Sequence, residues 1–96
     1  MKIAVSTQPK LFPAGTVAGN MRFTLIADNG YSNNVVLTGL EADFPDATAP
    51  GTYTATVQRL DGSGNDLGAS ATAIYTIEGT NGVLVDMPIT VTVSMA

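Results

Sequence analysis

The chain has 96 residues, 45% of them apolar and 12% charged, with a net charge of −4 and neither cysteine nor histidine. One domain of this length can bury a core, and the chain is too apolar and too weakly charged to be a disordered acidic tail. The missing residue types exclude disulfide staples, thiolate-ligated metals, Ser-His-Asp and Cys-His catalysis, and the commonest general base.

The chain opens Met1-Lys2-Ile3-Ala4-Val5, one charge followed by three apolar residues. A signal peptide needs an apolar stretch of about 7–15 residues, so the sequence predicts a protein made and kept in a cytoplasm. No run reaches the roughly 20 apolar residues of a membrane span, and no membrane partner is expected. Ile3 and Val5 start a strand over 2–7. Segment 8–20 follows, interrupted by Pro9, Pro13, Gly15 and Gly19, with Leu11, Phe12 and Val17 as its apolar residues. It reads either as a connection tucked over one end of the domain or as an arm that grips a partner. In the second case Lys10, Leu11 and Phe12 are its candidate contacts.

Alternation dominates the rest of the chain. Met21, Phe23, Leu25 and Ala27 face one way in a strand over 20–28. Asp28-Asn29-Gly30 and Asn33-Asn34 bracket a reversal, with Tyr31 between them as the candidate exposed aromatic. Val35-Val36-Leu37 lies in a strand over 34–40 and is apolar on both faces, so its orientation is open. Pro45-Asp46 and Pro50-Gly51 bound an irregular stretch from about 41 to 51. Tyr53, Ala55 and Val57 alternate with Thr52, Thr54, Thr56 and Gln58 in a strand over 52–60. Asp61-Gly62-Ser63-Gly64-Asn65 reads as a hairpin tip, and 68–77 as the return strand, with Ala71, Ala73, Tyr75 and Ile77 in phase. A second turn at 78–82 leads to a strand over 83–95, where Val83, Val85, Met87, Ile89, Val91, Val93 and Met95 keep period 2. Pro88, on the opposite phase, marks an edge or a bulge. Six to seven such strands, without a helical window, predict an all-β fold: an Ig-like antiparallel β-sandwich spanning 1–96 as a single domain.

Residues 1–22 hold Lys2, Lys10 and Arg22 and no acid. The remainder sets eight acids against Arg59 alone. Phosphate binding needs a basic face, so nucleic acid is not an expected partner. The basic first segment reads as a solvated, neutralised strand or as a surface for an acidic partner. Glu41, Asp43 and Asp46 could pair as catalytic carboxylates in principle, but solvated loop charges account for them better. Asp61, Ser63, Asn65 and Asp66 loosely follow the spacing of a calcium loop. The same residues build ordinary turns, and the downstream bidentate Glu is missing. No catalytic residue, cofactor or metal is therefore expected. Tyr53 and Tyr75 fall on the apolar phase of their strands and are expected in the core, one of them with its hydroxyl on nearby backbone in a tyrosine corner.

Pro50-Gly51-Thr52-Tyr53, a strand, and then Leu60-Asp61-Gly62-Ser63-Gly64-Asn65-Asp66-Leu67-Gly68 resemble Ig-like and fibronectin-like domains of tailed-bacteriophage structural proteins. The resemblance covers about a fifth of the chain, and bacterial surface repeats share its pattern. It implies an accessory virion protein: a capsid decoration protein bound to the major capsid protein or another virion protein. A tail, baseplate or fibre component and a carbohydrate-binding surface module are the alternatives. It also implies no catalytic residues, a place on the virion after synthesis in the host cytoplasm, and a possible homo-oligomer.

Overall fold

A computed structural model describes residues 1–7, 18–79 and 89–95. They form seven strands: β1 Lys2–Thr7, β2 Ala18–Ala27, β3 Ser32–Leu37, β4 Glu41–Asp43, β5 Gly51–Asp61, β6 Ala71–Ile77 and β7 Thr90–Met95. Two sheets face each other, a three-stranded one in the order β4-β1-β7 and a four-stranded one in the order β3-β2-β5-β6. The chain is thus an all-β Ig-like sandwich. Every pairing is antiparallel except β1 with β7, which run parallel from Lys2 opposite Thr90 to Thr7 opposite Met95. The first and last strands of the chain therefore lie side by side, a pairing no local pattern could announce.

The core follows the alternation. Phe23, Leu25 and Ala27 of β2 and Tyr53, Ala55 and Val57 of β5 are all buried, and so, on the facing sheet, are Ile3 and Val5 of β1 and Val91, Val93 and Met95 of β7. Thr-rich positions take the outward phase, where branched side chains fit the pleat. Val35 and Leu37 pack inward and Val36 points out, which settles the phase of β3. Residues 83–88, Pro88 among them, lie outside the described residues.

Three expectations need correction. The stretch from 41 begins with a short strand: Ala42 turns inward between exposed Glu41 and Asp43, and β4 pairs with β1. Phe44 then trades backbone hydrogen bonds with Met1, its N–H donating to the Met1 carbonyl at 2.7 Å and its carbonyl accepting from the terminal ammonium at 2.8 Å. The return strand β6 begins at Ala71 rather than at 68, because Gly68 has φ +75°, a left-handed conformation that ends pairing. Tyr75 is 39% exposed although its phase is inward. It stands on the last strand of its sheet, so only Tyr53, directly opposite, flanks it within that sheet.

Candidate functional site

One end of the sandwich is closed by a polar network built on the two tyrosines. The β2–β3 turn presents Asn29, whose Oδ1 accepts from the Tyr31 N–H at 2.9 Å. Its Nδ2 donates to the Pro50 carbonyl and the Tyr53 hydroxyl, each at 3.0 Å, and reaches the Ala49 carbonyl at 3.4 Å. The Tyr53 hydroxyl in turn donates to the Ala49 carbonyl at 2.7 Å. This is a tyrosine corner: the ring fills the core and the hydroxyl fastens backbone four residues upstream.

Tyr31, the aromatic expected to be exposed, is half-buried. Its ring lies 5.9 Å from that of Tyr53 at a tilted 58°, and its hydroxyl donates to Asp46 at 2.8 Å. A tilted pair at this distance is an attractive aromatic geometry. Partial burial pushes the Tyr31 hydroxyl above its usual pKa, and its bond to the Asp46 carboxylate adds to the rise. A neutral phenol is thus favoured in the folded chain. The stability it contributes is present below the unfolded value near pH 10 and is lost as pH rises through the folded one. An absorbance titration of phenolate should show Tyr31 ionising late, and Asp46→Asn should bring that transition down.

The carboxylates go to separate tasks. Asp46 holds Tyr31. Glu41 lies 3.7 Å from the Lys2 ammonium, an exposed pair of small energetic weight. Asp66 accepts from Arg22 at 3.0 Å. At the hairpin tip, Asp61 Oδ1 accepts from the N–H groups of Ser63 and Asn65, both at 2.9 Å. That oxygen is doing the work of a turn former, and the geometry is an Asx turn. Asp61→Ala should lower stability by about 1 kcal/mol, measured by urea unfolding, while Asp61→Asn should recover most of it.

Two features had no counterpart in the sequence reading. Gln58 is buried on the outward phase of β5, because the chain after the hairpin folds back over it. Its Nε2 donates to the carbonyls of Arg59 at 2.9 Å and Gly68 at 3.1 Å, with that of Leu67 at 3.5 Å. The outward face of the four-stranded sheet also carries Ile26, Val36 and Ile74, which are 51%, 51% and 67% exposed. Ile26 and Ile74 flank Thr54 in register across β2, β5 and β6. Both isoleucines interrupt an otherwise polar phase, which was the available signal.

Of the four candidate contact residues, the structure places Tyr31 in the network at the sandwich end. Lys10, Leu11 and Phe12 lie outside the described residues. Comparison with family models, with curated proteins and with solved structures returned no match.

Proposed function

We propose that the chain is a non-enzymatic structural protein of a virion that decorates the capsid by binding the major capsid protein. The reading rests on the resemblance of Pro50 to Gly68 to phage Ig-like domains, and the strand and Asp61-closed tip found there are compatible with it. A sequence without histidine or cysteine lacks the commonest general base and the thiol nucleophile, which favours binding over chemistry. The large exposed apolar residues Ile26, Val36 and Ile74 on one sheet face suit contact with protein better than contact with phosphate.

Mixing the chain with capsids assembled from the major capsid protein, then sedimenting them, tests the reading. Saturable co-sedimentation in fixed proportion to capsid subunits supports it. Density on the tail alone in electron micrographs of whole particles would replace it with the tail-component alternative, and no association with either part would end it. Because β1 is the middle strand of its sheet, the variant used to map the contact must leave residues 2–7 intact. Leu11→Ser with Phe12→Ser meets that need, and loss of co-sedimentation with unchanged circular dichroism is the expected outcome.

A further inference from the structure

The two sides of the sandwich are finished differently. On one side lie the outer edges of β3 and β4. The Asn34 N–H there is taken by the side chain of its neighbour Asn33 at 2.9 Å, and the exposed Glu41 and Asp43 of β4 bring charge. Occupied amides and charges are the ordinary means of blunting a sheet edge. On the other side lie the outer edges of β6 and β7, which run beside each other without pairing. Strand β6 reads Ala-Thr-Ala-Ile-Tyr-Thr-Ile and has no charge. Strand β7 presents only Thr90, Thr92 and Ser94 outward.

The direction of the β6 backbone groups follows from β5. Thr52 accepts at its carbonyl from the Asp28 N–H and donates its own N–H to the Asp28 side chain, so its backbone points at β2. Successive residues of a strand point their backbone groups to opposite sides. Tyr53, Ala55 and Val57 therefore point at β6, where they meet Tyr75, Ala73 and Ala71. The Arg59 carbonyl, which accepts from the Leu67 N–H, has the same parity. Thr72, Ile74 and Thr76 are left with N–H and C=O directed away from the sheet. Among the described residues none of these backbone groups has a hydrogen-bond partner.

We propose that this edge pairs with the same edge of a second copy of the chain, antiparallel about a two-fold axis through Ile74. The strand is complementary to itself in that register. Ile74 meets Ile74 of the partner copy as a hydrogen-bonded pair, Thr72 meets Thr76, Ala73 meets Tyr75, and Ala71 meets Ile77. The Thr72–Thr76 pairs repeat hydroxyl contacts already present in the sheet, Thr52 with Thr76 at 3.2 Å and Thr56 with Thr72 at 3.4 Å. Continuing the register sets Glu78 opposite Ser70, so no like charges meet despite the net −4 of each chain. Ile74, the most exposed large apolar side chain among the described residues, is covered by its own copy, and the row Ile26-Thr54-Ile74 continues unbroken into the partner. The two four-stranded sheets become one of eight. The inference does not depend on the virion reading.

The chain has no cysteine, which makes a crosslink decisive. In a hydrogen-bonded antiparallel pair the Cα atoms are about 5.5 Å apart, within the separations a disulfide spans. Ile74→Cys should oxidise to a linked dimer at least about tenfold faster than Val36→Cys, an outward-facing and half-exposed position on the opposite edge strand. Sedimentation velocity of the wild-type chain over a wide concentration range should show a monomer–dimer equilibrium. Ile74→Lys, which sets like charges face to face at the axis, should weaken it by about tenfold or more, and Val36→Lys should leave it unchanged. Ile74 is two-thirds exposed, so the substituted chain should keep its circular dichroism and, at concentrations where both chains are monomeric, its melting temperature. A wild-type chain that stays monomeric at millimolar concentration overturns the proposal. So does a dimer indifferent to Ile74→Lys in a folded chain, or equal crosslinking at positions 74 and 36.

Discussion

Tyr53→Ala is expected to remove about 3–5 kcal/mol of stability, the range for deleting a buried aromatic side chain. A domain of this size has about 5–15 kcal/mol in total, so the variant should be largely unfolded near physiological temperature. Two contributions combine. The ring is 1% exposed and sits in the central strand β5, between Ala27 of β2 and Tyr75 of β6, with Tyr31 tilted against it. The hydroxyl bonds the Ala49 carbonyl and accepts from Asn29, joining the β2–β3 turn to the approach to β5. Tyr53→Phe separates the two. It keeps the ring and should cost about 1–2 kcal/mol, the value of a satisfied bond whose partner is left behind. Urea unfolding of both variants checks the pair. If Phe proves as damaging as Ala, the corner rather than the ring dominates. If Phe is neutral, the hydroxyl network contributes nothing measurable. Asn29→Ala combined with Tyr53→Phe should cost less than the sum of the two single changes, because both act on the same bonds.

The same residue shows what alternation can and cannot convey. Period 2 placed Tyr53 inward, and turn chemistry around Pro50-Gly51 placed it at a strand start. Both are local signals, and both hold. Tyr75 has an identical pattern and is 39% exposed, because burial depends on how many strands flank its own, which is a property of sheet order. The parallel pairing of β1 with β7 is hidden for the same reason: its partners are separated by nearly the whole chain. β4 is only three residues long, too short for a period to register before Pro45. Gln58 reads as an outward polar residue and is buried because the segment after Asp66 returns over it, a tertiary event. At the candidate site, the sequence marked Tyr31 and Asp61 as residues in turns. It could not say that Tyr31 would be held by Asp46 across fifteen positions, nor that Asp61 would spend one oxygen on two backbone amides. Exposed Ile26 and Ile74 were visible as interruptions, yet only the register shows that they share one row.

Gly19→Ala is expected to be the most damaging exchange of one methyl group among the described residues. A Cβ built at Gly19 would collide with the Asp61 carbonyl oxygen and lie 2.6 Å from its carbon and 2.9 Å from the Leu60 carbonyl oxygen. All three obstacles are backbone, so no side chain can swing aside. The site is where β2 slips register against β5, between the pairs Ala18–Asp61 and Met21–Arg59. Glycine serves such irregularities because two backbones can touch there. Adding the methyl forces the start of β2 off the end of β5, with a cost of about 2–3 kcal/mol, in the upper part of the range for overpacking. The damage should be local first. The Asp61 turn, which presents that carbonyl, should lose amide protection, while Leu25 and Ala55, farther along the same pair of strands, keep theirs until the chain unfolds globally. Hydrogen exchange read residue by residue distinguishes this from a general loss of stability. Uniform loss of protection across β2 and β5 would mean that the slip is not separable from the core. Unchanged exchange at Asp61 and Asn65 would mean that the two backbones do not approach so closely.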